Sequence, residues 1–214
     1  MTLARKLFAL AAFAFLAPGA FAQGQDYGLL NPPQPTEGGG KIEVVEFFWY
    51  GCPHCYRLEP FVEKWAANLP RDVVFKRVHA LPGNTWLEHA TLFNTLEAMG
   101  LLEKLHRKVF DAIHQENQNL VSKPVREAWL AKQGVDVAKY NEVAKSFAVV
   151  TKLNRAQQMT ASYKVDGVPM LFVNGKYVTS NTHTQGDTTK IMAVVDRLVD
   201  MARKETAPAP APKK

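Results

Sequence analysis

Cysteine is scarce in this sequence, which has two in 214 residues, Cys52 and Cys55. A ring closed by so close a pair restricts the unfolded chain little, by roughly 2 kcal/mol, so it is a weak structural disulfide. A four-cysteine zinc site needs a second C-x-x-C pair, and haem attachment needs a histidine where Tyr56 stands. The shortage therefore disfavours a disulfide-stabilised scaffold, this type of zinc site and a haem site, and it predicts no metal.

Long apolar runs and an excess of one charge are also lacking. The apolar stretch at residues 7–16 is too short to span a membrane. It follows Arg5 and Lys6 and precedes an A-x-A cleavage pattern, which together predict a secretory signal peptide at residues 1–22. The formal net charge is +6. Because no basic cluster with interleaved aromatics accompanies it, we expect no nucleic-acid partner.

The two cysteines stand between a predicted strand and a predicted helix. Residues 42–48 form an apolar run typical of a buried strand, and residues 56–68 carry apolar side chains at helical spacing. A strand that delivers C-x-x-C to the first turn of a helix is typical of thiol–disulfide oxidoreductases.

The positions within Cys52-Pro53-His54-Cys55 suggest separate roles. A thiol attacks as its thiolate, which the N-terminus of a helix stabilises, so Cys52 is the predicted attacking thiol and Cys55 the resolving one. Pro53 suits a first helical position, and a protonated His54 would add positive charge. If the pKa of Cys52 fell from about 8.5 to about 4, the reduced form would gain about 4 kcal/mol at pH 7, on the order of 90 mV.

One acidic residue, Glu46, interrupts the predicted first strand. If side chains alternate, Val44, Glu46 and Phe48 share one face of that strand. A buried carboxylate is costly unless it is paired or protonated. The pattern leaves two interpretations open, a strand face that meets solvent or a buried acid with a partner.

The remaining chain predicts a second strand, a long helical stretch and a C-terminal hairpin with a last helix. An edge strand is expected at residues 27–30 and the second strand at residues 72–79. Helical spacing predicts helices at residues 86–99, 102–113, 122–134, 136–147 and 151–163, with His89, His106 and His114 at the surface or rim. Asn174-Gly175 predicts a two-residue hairpin loop. Asp187 is the predicted cap of the last helix.

This order predicts an α/β, thioredoxin-like fold with an inserted all-helical domain. The expected divisions are a thioredoxin-like domain at residues 23–80 and 164–206, a helical domain at residues 81–163 and a disordered tail at residues 207–214.

Four strings carry a resemblance to a known family. They are Val45-Glu46-Phe47-Phe48, Cys52-Pro53-His54-Cys55-Tyr56, Gly167-Val168-Pro169 and Phe172-Val173-Asn174-Gly175-Lys176-Tyr177. In these strings and in its layout the chain resembles the DsbA family of bacterial periplasmic thiol oxidases over nearly its whole length after residue 22.

The resemblance implies roles for several residues. It implies that Cys52 is the nucleophile, that His54 stabilises its thiolate, and that Val168-Pro169 forms a cis peptide that binds an extended substrate. It marks Glu46 as a buried acid that moves the Cys55 proton, with Arg77 or Lys76 at the place of its basic partner. It makes His79 a plausible residue near the site.

The resemblance also implies an activity. A monomeric periplasmic protein would donate its Cys52–Cys55 disulfide to reduced, unfolded secreted proteins without a further cofactor, and a membrane protein of the DsbB type would reoxidise it. The alternatives are a reductase or isomerase on the same fold, and a non-catalytic metal-binding or chaperone module that uses Cys52, His54 and Cys55.

Overall fold

The structure is a computed structural model, and it describes residues 26–206. The predicted signal peptide at residues 1–22 and the predicted tail at residues 207–214 lie outside the described residues. Within residues 26–206, no helix is both long and apolar enough to cross a bilayer.

The described strands form one five-stranded mixed sheet in the order β1-β5-β4-β2-β3. They are β1 (Gly28–Leu29), β2 (Ile42–Phe48), β3 (Val73–His79), β4 (Met170–Val173) and β5 (Tyr177–Ser180). β2 pairs in parallel with β3 and antiparallel with β4. The parallel pair confirms the predicted strand–helix–strand unit, because parallel neighbours need a crossover connection.

Seven α-helices accompany this sheet over the described range. They are α1 (Pro53–Ala66), α2 (Leu87–Ala98), α3 (Leu102–His114), α4 (Lys123–Lys132), α5 (Val137–Ala144), α6 (Phe147–Ser162) and α7 (Ile191–Thr206). Short 3-10 turns precede α2 at Asn84–Trp86 and α7 at Thr188–Lys190. Helices α2 to α6 follow one another between β3 and β4, as the periodicity predicts.

One helix boundary differs from the prediction. The predicted fourth helix runs through Phe147, but α5 ends at Ala144 and Phe147 begins α6. The Ser146 hydroxyl accepts a hydrogen bond from the Val149 amide at 3.3 Å. This N-cap satisfies an amide that has no intrahelical partner, so it favours a new helix over continuation of α5.

The hairpin between β4 and β5 is confirmed, with a loop one residue longer than predicted. Asn174 and Gly175 both have positive φ, at 53° and 64°. The Lys176 amide donates to the Val173 carbonyl at 3.1 Å, which closes the turn. In the ladder Val173 pairs with Tyr177, so Lys176 belongs to the loop. The Gln34 amide donates to the Gly175 carbonyl at 2.8 Å, so the extended lead-in is attached to this turn.

Every residue of β2 is buried, because helices cover both faces of the sheet. One face packs Val44 against α1 and α7, and the other packs Phe47 against Tyr163. Phe48 at the end of β2 packs among side chains of α2 and α3. Glu46 is 0% exposed, which selects the buried interpretation over the solvent-facing one.

Candidate active site

Cys52 is the N-cap of α1, and Pro53 occupies the first turn as predicted. The Cys55 amide points at the Cys52 sulfur at 3.4 Å. This amide belongs to the group at a helix N-terminus that has no intrahelical carbonyl to bind, so it is available to an anion. Cys52 is 6% exposed and Cys55 is fully buried. Both are free thiols, and Cys52 is the more accessible sulfur.

The surroundings lower the pKa of the Cys52 thiol to about 6. The largest cause is a hydrogen bond from the Cys55 thiol; the amides of Cys55 and His54 and the Arg57 charge add to it, and burial opposes it. A fall from 9.0 to about 6 stabilises the reduced form at pH 7 by at most about 1.4 kcal/mol, about 30 mV, since solvent screens part of it. This stabilisation is smaller than the value of about 4 kcal/mol that follows from an assumed pKa of about 4.

Cys55 has the opposite environment. Its pKa is raised well above the usual thiol value, mainly by burial and then by its contact with Cys52. The Glu46 carboxyl contributes in the same direction when it is charged. The pair therefore combines one acidic sulfur with one that holds its proton.

His54 lies beside the dithiol, but its side chain bonds to another residue. Its ring Nδ1 is 2.8 Å from Arg57 Nη2, and both side chains are exposed. Because a guanidinium nitrogen can only donate, Nδ1 of His54 is the acceptor in this contact. The structure therefore places the permanent positive charge near Cys52 on Arg57, a residue that the sequence pattern did not single out.

The Val168-Pro169 peptide is cis, as predicted, and it faces Cys52. The Cys52 sulfur lies 3.3 Å from the Val168 carbonyl oxygen. Val168 is half-buried and Pro169 is buried just before β4. The Cys52 sulfur thus contacts both the N-terminus of α1 and the segment before β4.

Beneath the dithiol, Arg77 joins two buried acids. Its Nε is 3.3 Å from Glu46 Oε2, and its Nη2 is 2.6 Å from Glu59 Oε1. Burial raises the pKa of both carboxyls. The repulsion between the two acids adds to the rise at Glu46. Three ionisable groups therefore share a site of low dielectric constant, where two carboxylates cannot easily be charged together.

The partner of Glu46 is Arg77 and not Lys76. The β2–β3 register places Arg77 opposite Glu46 and Lys76 opposite Val45. Successive side chains point to opposite faces of a sheet. Lys76 accordingly contacts Glu43 at 2.6 Å on the other face.

Two of the three histidines expected at the surface or rim are buried, which corrects that prediction. His89 and His106 are each 5% exposed, and His114 is half-buried. α2 and α3 turn His89 and His106 toward the end of β2, where the His106 ring lies 5.2 Å from the Phe48 ring. Burial lowers the pKa of His106 to about 3 and that of His89 to about 4, so both are neutral near pH 7.

His79 lies in the same layer of rings. It is 1% exposed, and its Nε2 lies 3.4 Å from the Tyr50 amide. Burial lowers its pKa well below the usual histidine value. It therefore supports the backbone that leads into Cys52, and its ring is 5.1 Å from Phe48.

Comparison with known proteins connects this geometry to a family. A family model of the DSBA-like thioredoxin domain matches residues 79–187. The thiol:disulfide interchange protein DsbA of Azotobacter vinelandii is 41% identical over 198 residues, 92% of each chain. That of Bordetella parapertussis is 44% identical over 197 residues, 92% of this chain and 94% of its own.

A solved structure agrees with this comparison. The crystal structure of Pseudomonas aeruginosa DsbA superposes with a TM-score of 0.80 at 40% identity, covering 85% of this chain and 94% of that chain. The chain belongs to the DsbA family. As a DsbA-family protein it is a thiol:disulfide oxidoreductase with a thioredoxin-like fold. Membership favours disulfide oxidation over the reductase, isomerase, metal-binding and chaperone alternatives.

The DsbA-family chemistry uses a redox-active disulfide of the protein itself. Within residues 26–206, no group of three or more His, Cys, Asp or Glu side chains is arranged to hold a metal ion. The family model matches residues 79–187 and therefore does not include the dithiol. The alignment with the Azotobacter protein covers 92% of this chain, so it includes Cys52 and Cys55.

Sequence reasoning missed Glu59, although a signal for its burial is present. Glu59 follows Cys55 by four positions and precedes Val62 by three, so all three lie on one face of α1. The structure buries Cys55, Glu59 and Val62, and it leaves Phe61, one of the apolar side chains at helical spacing in residues 56–68, 41% exposed. The helical spacing correctly predicted a helix, but its buried face includes Val62 and not the neighbouring Phe61.

Proposed function

We propose that this DsbA-family protein oxidises pairs of thiols in newly exported, unfolded proteins by donating a Cys52–Cys55 disulfide. The observation that carries the proposal is the Cys52 sulfur, whose pKa is lowered to about 6 and which lies 3.3 Å from the Val168 carbonyl. A lowered thiol pKa stabilises the reduced protein, which makes its disulfide a better oxidant.

The proposed reaction has two exchange steps. A substrate thiolate attacks the Cys52 sulfur, the Cys52–Cys55 bond breaks, and Cys55 leaves with the electron pair and then takes a proton. A second substrate thiolate attacks the substrate sulfur of the mixed disulfide, and Cys52 leaves as a thiolate. Two electrons pass from substrate to protein, and the low pKa of Cys52 makes it the better leaving group in the second step.

We propose that the Val168-Pro169 segment binds the substrate backbone. Its carbonyl lies beside the sulfur that would carry the mixed disulfide. An extended peptide can add to exposed backbone groups in the manner of an extra strand, which gives affinity without demanding one sequence. That property suits a protein whose substrates are unfolded and varied.

The other predicted residues have supporting roles in this proposal. Pro53 begins α1, and His54 provides an amide that stabilises the Cys52 thiolate. Glu46, buried beside Arg77, supplies the proton that Cys55 takes up. His79 holds the Tyr50 backbone in position.

The proposal includes a setting and partners. The protein acts in the periplasm as a monomer, its dithiol serves in place of an added cofactor, and a membrane protein of the DsbB type reoxidises it. Residues 23–80 and 164–206 form the thioredoxin-like domain, and residues 81–163 form an inserted helical domain. The α2–α6 succession between β3 and β4 supports that division.

The test is to mix the oxidised protein with a reduced, unfolded protein that contains disulfides when native, and to count the thiols lost by the substrate and those gained by the oxidised protein. We expect two substrate thiols to disappear for each Cys52–Cys55 disulfide reduced. Cys52→Ser should abolish the reaction, and a separate glutathione titration should show that the wild-type disulfide is readily reduced.

The reverse result has a clear meaning. If the dithiol stays oxidised in glutathione mixtures that reduce ordinary oxidases, the protein works as a reductase and the proposal is wrong. Tight binding of zinc or copper(I) without thiol exchange would instead support the metal-binding alternative.

A further inference from the structure

The buried charges beneath the dithiol continue into the helical segment. From Glu46 and Arg77 the contacts pass to Glu59, whose Oε1 lies 3.4 Å from His106 Nε2. The other ring nitrogen, Nδ1 of His106, is 2.8 Å from the Tyr50 hydroxyl. None of these five side chains is more than 16% exposed. One continuous chain of groups therefore links Glu46 to α3.

The two acids receive different numbers of donors. Glu46 has one donor nearby, Arg77 Nε at 3.3 Å from Oε2, and within the described residues neither of its buried oxygens makes a hydrogen bond of good geometry. Glu59 Oε1 accepts from Arg77 Nη2 at 2.6 Å and has His106 Nε2 nearby. A carboxylate is stabilised by donors, and of two buried acids the one with the poorer donors favours its protonated form. A single proton shared by the pair therefore rests on Glu46.

His106 can serve this arrangement in one tautomer. Burial keeps its ring neutral, so one nitrogen donates and the other accepts. Nε2 lies 3.4 Å from the Glu59 carboxylate and makes no hydrogen bond of good geometry within the described chain, and a proton at Nε2 is what makes this contact attractive. Nδ1 then accepts from the Tyr50 hydroxyl.

We propose that His106, held in this tautomer by Tyr50, is a positioning residue that keeps the negative charge on Glu59 and the shared proton on Glu46. This inference rests on the proposed function, in which the Cys55 sulfur leaves as a thiolate. The Glu46 O–H bond then breaks, a Cys55 S–H bond forms, and Glu46 becomes a carboxylate. A proton from water later restores Glu46.

Other charges act on the same pair from each element packed against it. They are Cys55 and Glu63 on α1, Arg77 on β3, Tyr50 after β2, and Glu103 and Arg107 on α3. Arg77 also lines a cleft of about 460 Å³ beside β3, α2 and α6. The chemistry beside Cys55 is therefore controlled from a helix that carries neither cysteine.

Two matched substitutions separate a positioning role from a packing role. In His106→Gln the amide nitrogen takes the place of Nε2 and can still donate to Glu59. In His106→Asn the shorter amide takes the place of Nδ1, so it can bind Tyr50 but cannot reach Glu59. Each variant would be oxidised and mixed with an excess of a reduced cysteine peptide, and the rate of the first exchange would be followed from about pH 5 to about pH 9.

We expect the Asn variant to react about threefold to tenfold more slowly than wild type near pH 7, with the apparent pKa of its profile lowered by about half a unit to one unit. The Gln variant should stay within about twofold of wild type, with an unshifted profile. Equal rates and identical profiles for the two variants would overturn the inference.

A second measurement does not depend on the folding of these variants. The infrared carbonyl band of a protonated carboxylic acid would be recorded for the reduced protein near neutral pH. We expect Glu46→Gln to remove this band and Glu59→Gln to leave a carboxylic-acid band in place. A band that disappears with Glu59→Gln alone contradicts the inference, whereas failure of the wild-type protein to oxidise the peptide contradicts the proposed function.

Discussion

At the scale of single residues, the reactivity of Cys52 depends on a few groups in the first turns of α1. The Cys55 thiol is the largest influence, and it acts only when that thiol is reduced and points at its neighbour. Arg57 adds the positive charge of its guanidinium group. The lowered pKa of Cys52 thus owes one contribution to the His54 amide and another to the Arg57 charge.

Replacing Arg57 by Gln tests this division. We expect the pKa of Cys52 to rise by about half a unit, because an exposed charge at this separation contributes less than 1 kcal/mol. The measurement is thiolate absorbance of the reduced protein as a function of pH. Arg57→Lys should retain most of the effect. Lys64→Gln, an exposed cation near the other end of α1, should change nothing.

The residues that carry the site were only partly predictable from sequence. Cys52 and Cys55 are close in sequence, and their chemistry follows from the start of a helix. The Glu59–His106 contact joins α1 to α3, so local periodicity could not place it. A histidine on an amphipathic helix was expected at the surface, because nothing nearby in the sequence shows that Tyr50 and Glu59 meet it.

At the scale of elements, caps and turns decide where the chain changes direction. Asp136 and Ser146 each bind an amide one turn later, and each marks the start of a helix. Periodicity alone merged residues 136–147 into one helix, because the apolar spacing continues across the break. Sequence therefore predicts the elements well and their ends less well, since the ends depend on single side-chain hydrogen bonds.

The hairpin that follows the cis-proline segment allows a prediction at Gly175. A β-carbon there would lie 2.0 Å from the Gln34 carbonyl oxygen, and φ is positive. Gly175→Ala should lower the free energy of unfolding by about 3 kcal/mol, from backbone strain together with displacement of the lead-in. Denaturant unfolding measures this loss.

Gly186→Ala is the matched control for that substitution. Gly186 also has positive φ, but nothing lies within 4 Å of a β-carbon placed there. It should cost only about 1 kcal/mol, the strain of the backbone conformation alone. Equal losses at the two positions would show that the contact with Gln34 does not matter.

At the scale of the whole molecule, the acidity of Cys52 is linked to stability. The pKa of Cys52 is lower in the folded protein than in the unfolded chain, so the unfolded chain holds this proton to higher pH. The resulting stabilisation is fully present above the unfolded pKa and is lost as pH falls through about 6. Only the reduced protein has this stabilisation, because in the disulfide Cys52 has no thiol to ionise.

We expect the unfolding free energy of the reduced wild-type protein, minus that of reduced Cys52→Ser, to rise by up to about 1.4 kcal/mol between about pH 5 and pH 7. Subtraction of the serine variant removes the effects that Glu46 and Glu59 have on both proteins. Urea unfolding under reducing conditions gives both values. A difference that stays constant or falls over this range would show that Cys52 is not acidic in the folded state.

The contact between the Cys52 sulfur and the Val168 carbonyl joins positions 116 residues apart. The sulfur takes its acidity from a handful of consecutive residues, whereas the carbonyl proposed to receive a client peptide arrives only with the final quarter of the chain. During synthesis the ribosome therefore adds the reactive cysteine long before it adds the segment proposed to bind the substrate. A reactive sulfur with a substrate-binding backbone beside it exists only after the segments around Cys52 and Val168 have packed together.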